Sequence, residues 1–191
     1  NQNLWFEIKD KESLRDKYNI EQNSYLVGSF QRDTEGSDLV SPKLSKGPDR
    51  FLEIVQYLKT KHDNLVVILT GKRRNYLINE LSQRNINFKF FEMTSFENLN
   101  ELYNILDLYI VSSRYEGGPQ AILETALTRT PLISTDVGIA GEILDRTSIY
   151  NMDNYKNASP NTDIAFNNAK KFSIPSGFED FNKLLNKIYE N

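Results

Sequence analysis

The sequence predicts a doubly wound α/β domain: a Rossmann-like parallel sheet of about six strands with helices on both faces. Three observations predict it. Short apolar runs alternate with longer amphipathic segments along the chain. The amphipathic segments are long enough for right-handed crossovers between parallel strands, which would cover both faces of the sheet. Finally, the polar, turn-rich segments 29–46, 71–74, 91–94, 112–118 and 135–141 each follow a predicted strand. They therefore gather at the carboxyl edge, where ligands collect in such sheets.

Taken in order, a helix is expected over 10–17 and a strand over 24–30. A long irregular segment from about 31 to 47 contains Gly36, Pro42 and Gly47, and loops of that length are more often functional than idle. A helix over 48–62 closes on His62, where a cation suits the helix dipole, so His62 is read as structural. The strand 64–70 is punctuated by Gly71, and a helix over 73–84 follows. Phe88, Phe90 and Phe91 read as the core and rim of a strand over 87–92. Ser95, with Asn98 onward, opens a helix over 95–105. The strand 107–112 runs into a helix over 119–129, in which Ala121, Ile122, Leu123, Ala126 and Leu127 repeat at helical spacing. A strand over 131–134, a helix over 138–144, a strand over 147–150 and a helix over 160–171 complete the alternation. Ser176 and Gly177 open a last helix over 177–190. At 191 residues the chain is long enough for one full domain and marginal for two, so a single domain over 1–191 is expected.

The richest stretch is Glu116-Gly117-Gly118-Pro119-Gln120-Ala121-Ile122-Leu123-Glu124, on the turn from a strand to a helix. Pro119 suits the first helical position, where its missing N–H would have been unpaired anyway. The two glycines let backbone amides approach a ligand, and the positive end of the helix dipole favours a phosphate. Carboxylates would repel that phosphate, which leaves Glu116 and Glu124 another task. Each is acceptor-only when ionised and can span a pair of sugar hydroxyls.

Composition narrows the classes of function. Hydrophobic residues make up 39% and charged residues 26%, so neither disorder nor a membrane span is suggested. A net charge of −3 argues against nucleic-acid binding through phosphate neutralisation, despite the local cluster Lys72-Arg73-Arg74. That cluster is either an exposed helix start or a ligand contact. With no cysteine and one histidine, the chain offers no disulfide, no thiolate metal site and no imidazole pair. No secretory pattern opens it, and a cytoplasmic setting is the default expectation. Trp5 and Phe6 mark either a surface for a further domain or local packing.

Ser112-Ser113-Arg114-Tyr115 and the Glu116–Glu124 stretch, followed by Thr130-Pro131-Leu132-Ile133-Ser134-Thr135-Asp136-Val137-Gly138, strongly resemble retaining GT-B glycosyltransferases. Val27-Gly28-Ser29-Phe30-Gln31-Arg32 and Lys43-Leu44-Ser45-Lys46-Gly47-Pro48-Asp49 resemble the donor-phosphate loop of their C-terminal, nucleotide-sugar-binding half. The resemblance covers most of the chain and implies that the N-terminal, acceptor-binding half is absent from it.

Carried over by residue, the resemblance implies that Arg32 and Lys46 neutralise the donor diphosphate, with Gly28, Ser29 and the amides of Gly117, Gly118, Pro119 and Gln120 assisting. It implies that Glu116 faces the transferred sugar and Glu124 holds the ribose hydroxyls. Backbone groups from Phe91 to Met93 would meet the nucleobase, with Arg73 or Arg74 close by. The chain departs from the family pattern in placing Ser29 after Gly28 and the arginine three positions later. Its phosphate loop is long, so Lys43 competes with Lys46, and Arg129 stands where a small residue is usual before Thr130-Pro131.

The implied function is metal-independent, retaining transfer of a hexosyl group from a nucleotide sugar to an acceptor glycan or lipid-linked sugar, in cell-surface polysaccharide or glycoconjugate synthesis. No cofactor or metal is implied, and the setting could extend to the inner face of a membrane through the absent half. The isolated domain would be poorly active or inactive. A sugar-nucleotide epimerase-like enzyme and a non-catalytic nucleotide-sugar-binding module are the alternatives.

Overall fold

The computed structural model describes residues 3–36 and 38–189. Its helices are α1 (Lys11–Lys17), α2 (Pro48–Lys59), α3 (Asn75–Gln83), α4 (Phe96–Ile105), α5 (Gln120–Leu127), α6 (Ala140–Ile143), α7 (Thr162–Lys170) and α8 (Glu179–Tyr189). Its strands are β1 (Tyr25–Ser29), β2 (Leu65–Thr70), β3 (Phe88–Phe91), β4 (Leu108–Val111), β5 (Leu132–Thr135) and β6 (Ile149–Tyr150). All pairings are parallel, in the order β3-β2-β1-β4-β5-β6. The predicted doubly wound sheet is therefore present. The chain winds outward from β1 to β3, then returns to the centre and winds the other way from β4 to β6. The reversal lies between β1 and β4, where Val27 pairs with Leu108 and Gly28 with Tyr109. Such a switch point leaves a crevice at the carboxyl ends of the two strands.

Strand residues alternate between two apolar clusters, as their two-residue period requires. Val27, Val67, Leu69, Leu108 and Ile110 pack against Phe51, Ile54 and Val55 of α2 and Leu77 and Leu81 of α3. Leu26, Ile68, Tyr109 and Val111 face the other way, against Leu102 and Tyr103 of α4, Ile122 and Ala126 of α5, and Ala165 and Ala169 of α7. Both faces are thus covered, which is why the strands read as continuous apolar runs rather than as alternating ones.

The expected boundaries shift at several ends. α2 stops at Lys59, and His62 lies beyond it, stacked on Tyr25 with ring centroids 3.7 Å apart. α3 begins at Asn75 because Arg73 takes a left-handed φ of 59°. Ser95 caps α4 as expected, accepting from the Asn98 N–H at 3.2 Å. The strand expected over 147–150 is mostly a 3-10 turn, Arg146–Ser148, leaving two strand residues. A 3-10 turn at Ser176–Phe178 precedes α8, and residue 190 of the expected last helix lies outside the described residues.

Packing accounts for two further residues. Trp5 is buried, edge-on to Tyr103 and Phe96, and the segment around it is stitched to α4. The Phe6 N–H donates to Asn100 Oδ1 at 3.1 Å and the Ile8 N–H to Asn104 Oδ1 at 2.7 Å, while Phe6 itself remains exposed. Arg129, which stands where a small residue is usual, joins two helices. Its φ of 55° turns the chain, its guanidinium pairs with Asp163 at 2.6 Å, and it stacks over Phe166, tying α5 to α7.

Candidate functional site

The crevice between β1 and β4 is built from three loops. The first follows β1 and leaves the sheet through Phe30, whose N–H donates to Tyr109 Oη at 3.0 Å. It makes a hairpin-like excursion, with Thr34 bridged to Pro42, and ends in a 3-10 turn, Leu44–Lys46. Gly47 then starts α2 with a φ of 62°, and a Cβ there would lie 1.9 Å from the Ser112 carbonyl oxygen. Only glycine allows the first loop to lie this close to the second. That second loop, Ser112–Pro119, follows β4.

The two loops are joined by polar contacts. The Arg114 N–H donates to the Ser45 carbonyl at 2.8 Å, and the Arg114 guanidinium grips Asp49 with two bonds of 2.8 and 2.7 Å. Ser112 Oγ donates to the Lys46 carbonyl at 3.3 Å, and Gln31 Nε2 to the same oxygen at 3.0 Å. Against this frame, Lys46 Nζ and Glu116 Oε1 form an ion pair. Ser113 Oγ donates to the same carboxylate oxygen at 3.0 Å. Lys43, the competing lysine, points instead toward Glu35, 3.9 Å away.

Gly117 and Gly118 follow, both exposed, and a Cβ added to either would meet nothing within 4 Å. Space, not backbone conformation, distinguishes these two glycines. Pro119 is the residue before α5 rather than its first helical residue, with an extended ψ of 112°, and no side chain caps the helix. The Ile122 N–H donates to the Pro119 carbonyl at 3.0 Å, whereas the Gln120 and Ala121 N–H groups lack both an intrahelical partner and a side-chain cap. The third loop closes the far wall. The Cβ position of Gly138 sits 2.8 Å from the Gly117 carbonyl oxygen, and Asp136, Val137 and Gly138 line an open cleft of about 500 Å³ with Arg114–Gly117.

Glu124 lies on the following turn of α5, half-buried. Tyr103 Oη donates to its Oε2 at 2.7 Å. Burial raises its pKa above the ordinary value, and the Tyr103 hydrogen bond opposes that rise. Burial likewise raises the Tyr109 pKa to about 12, so this phenol is neutral at physiological pH. A second cleft, of about 320 Å³, opens beside Glu124 and is lined by Trp5, Phe96, Gln120 and Leu123 among others.

The remaining expected residues fall into distinct places. Arg32 is exposed and takes no hydrogen bond or ion pair among the described residues. Gly28 is buried inside β1, where its missing side chain makes room for Leu106, whose Cδ1 would lie 2.3 Å from a Cβ; Ser29 is buried at the strand end. Phe91 packs its ring edge-on to Tyr18, whereas Met93 is 73% exposed at the carboxyl edge of the sheet. The basic cluster splits. Lys72 and Arg73 are exposed, but Arg74 is fully buried and pairs with Asp33 at 2.9 Å, which corrects the exposed-helix-start reading for that residue. Sequence reasoning assigned no role to Ser113, Gln31, Tyr103 or the Arg114–Asp49 clamp. Their partners lie 3 to 82 positions away, and no local spacing reports the distant ones.

A doubly wound sheet with this switch-point crevice is the fold of the GT-B glycosyltransferases. The sequence profile described as "Glycosyl transferases group 1" matches residues 40–155, and the chain belongs to that family. A search of curated protein sequences found no match. Among solved structures, the chain is similar to sucrose-phosphate synthase from Thermosynechococcus elongatus, with 16% identity and a TM-score of 0.70 over 100% of this chain and 50% of that one. It is similar to Anabaena HepE, solved in complex with UDP and glucose, with 17% identity and a TM-score of 0.75 over 98% of this chain and 55% of that one. The C-terminal domain of the Francisella tularensis glycosyl transferase LpcC aligns over 89% of this chain and 92% of its own, with 15% identity and a TM-score of 0.64. The chain thus spans about half the length of the first two. Among the described residues no helix is long and apolar enough to cross a membrane, and no group of three or more His, Cys, Asp or Glu is placed to hold a metal ion.

Proposed function

We propose that this chain is the donor-binding half of a retaining hexosyltransferase. It would hold a nucleoside-diphosphate sugar for transfer to a hydroxyl of an acceptor glycan or lipid-linked sugar, in cell-surface polysaccharide or glycoconjugate synthesis. The observation that carries the proposal is the Lys46–Glu116 pair at the switch-point crevice, beside the uncapped start of α5 and one to two turns of chain from Glu124. That arrangement supplies cationic and N–H groups for a diphosphate and a carboxylate on either side for hydroxyl pairs. The HepE complex with UDP supports a nucleotide sugar as the ligand class.

Transfer passes through a state in which positive charge builds on the anomeric carbon while the nucleoside diphosphate departs. Lys46 and the first amides of α5 are fixed before the reaction and stabilise the departing charge. Arg32, exposed at the mouth of the first loop, adds to them when the donor is bound. Glu116 accepts from hydroxyls of the transferred sugar and so orients it, and Ser113 and Lys46 hold that carboxylate in place. Glu124 accepts from the ribose hydroxyls, with Met93 beside the base. In this reading basic side chains and a helix start do the work that a divalent ion does elsewhere, and the reaction is metal-independent. In this reading the sugar's configuration is retained, as the resemblance of the motifs to retaining enzymes implies, with attack on the face that the diphosphate leaves. An N-terminal domain supplies the acceptor site, and its closure excludes water.

Calorimetric titration of the chain with UDP, GDP, ADP and their sugar conjugates tests this reading. One nucleotide should bind, and Lys46→Ala and Glu124→Ala should each weaken it by roughly tenfold or more, the cost of losing a charged hydrogen bond. Absence of binding at millimolar ligand by the folded chain would contradict the proposal.

A further inference from the structure

We propose that Tyr103 is a positioning residue for the donor: its phenol fixes one oxygen of the Glu124 carboxylate so that the other is aimed at the ribose hydroxyls. The inference rests on the reading of Glu124 as the ribose acceptor.

Tyr103 sits on α4 and is 1% exposed. Trp5 lies edge-on to it at 5.7 Å, and Phe30 and Tyr109 lie tilted against it at 4.8 and 5.4 Å between ring centroids. Its carbonyl accepts from Thr130 Oγ1 at 2.8 Å, which pins the backbone beneath the ring. The phenol therefore has little freedom: it donates to Glu124 Oε2 at 2.7 Å and its hydroxyl also meets that of Tyr109. Among the described residues the other carboxylate oxygen takes no hydrogen bond.

A glutamate at the rim of a cleft normally samples several rotamers, and ordering it on ligand binding costs side-chain entropy. A fixed donor at one oxygen removes that cost in advance. It also favours the ionised form, the form that accepts from both members of a diol, against the burial that disfavours it. The same aromatic cluster reaches the phosphate loop. Tyr109, in contact with Tyr103, accepts the N–H of Phe30, the residue from which that loop leaves the sheet. Ribose carboxylate and phosphate loop are thereby set from one buried point.

A purely structural Tyr103 would fill the core and satisfy its hydroxyl on the nearest acceptor. The two roles differ in how the protein responds to the ribose itself. The test takes the tightest-binding of UDP, GDP and ADP and its 2′,3′-dideoxy analogue, and measures both affinities for the native chain, Tyr103→Phe and Tyr150→Phe. The native chain should prefer the ribonucleotide by about tenfold or more, the worth of a charged hydrogen bond. Tyr103→Phe should lose most of that preference while binding the dideoxy analogue as the native chain does. Tyr150→Phe, which loses a buried phenol of the other apolar cluster, bonded to the Val111 carbonyl, should retain it. A full native preference in Tyr103→Phe overturns the inference and leaves Glu124 as the ribose acceptor. A native chain that binds neither nucleotide, or shows no preference, overturns the reading of Glu124 and the inference with it. If Tyr103→Phe does not fold, 3,5-difluorotyrosine at position 103 keeps the ring and changes the acidity of the phenol. A shifted ribose preference then supports the inference, and an unchanged one overturns it.

Discussion

At the scale of single residues, the proposed role of Glu124 would come at a cost in stability. Burial raises its pKa, so the folded chain holds that proton more tightly than the unfolded chain does. Stability contributed at this position is then greatest at low pH and falls as the pH rises through the raised pKa, because the native carboxylate must ionise against its surroundings. Glu124→Gln keeps an acceptor for Tyr103 and removes the charge. It should melt higher than the native chain at pH 7, and the difference should shrink toward pH 4 as the native carboxylate becomes protonated. Thermal denaturation at the two pH values measures this; a variant less stable than the native chain at pH 7 would contradict the burial argument. Gains of this kind from removing a functional charge are common, and here the variant should also lose nucleotide affinity. The carboxylates themselves were legible in the sequence, because Glu116 and Glu124 flank a glycine pair and a proline whose local chemistry is plain. Tyr103 was not. A tyrosine at the end of an amphipathic run reads as core, and its bond to Glu124 depends on how α4 packs beside α5.

At the scale of elements, the loop between β1 and α2 is held by a buried clamp. Asp33 and Arg74 are both nearly inaccessible and joined at 2.9 Å. Arg74 also donates to the Thr70 carbonyl, and the Arg73 carbonyl accepts from the Asp33 and Thr34 N–H groups. These bonds lock the β1–α2 loop to the turn between β2 and α3. Burial lowers the Arg74 pKa and the Asp33 carboxylate opposes that fall, so the carboxylate offsets the cost of burying the guanidinium. Asp33→Ala would strand that charge and should cost about 3–5 kcal/mol of folding stability. Urea denaturation reads the cost; a loss below about 1 kcal/mol, the size of an exposed pair, would mean the clamp contributes little. The sequence shows why this element was only half legible. A segment with Gly36, Pro42 and Gly47 announces an irregular loop, and the three adjacent cations Lys72-Arg73-Arg74 look solvated. What buries the third cation is a carboxylate 41 residues earlier, and no periodicity carries that information.

At the scale of the whole molecule, the alternation of apolar and amphipathic segments specified six parallel strands and their covering helices nearly end to end. The strand order and the place of the reversal came from topology rather than from any one segment. That order puts Lys46, from the first half of the winding, beside Glu116, from the second. The chain spans about half the length of the sucrose-phosphate synthase and HepE structures, and on the proposed function its crevice is one wall of a larger site. The central claim is that this wall binds a nucleoside diphosphate, with ribose on Glu124 and diphosphate between Lys46 and the start of α5. A crystal structure of the chain with its preferred nucleoside diphosphate tests it most directly. The account predicts ribose hydroxyls within about 3 Å of the Glu124 carboxylate and phosphate oxygens at similar distance from Lys46 Nζ and the first α5 amides. A nucleotide seated elsewhere on the sheet, or one whose ribose points away from Glu124, would contradict it.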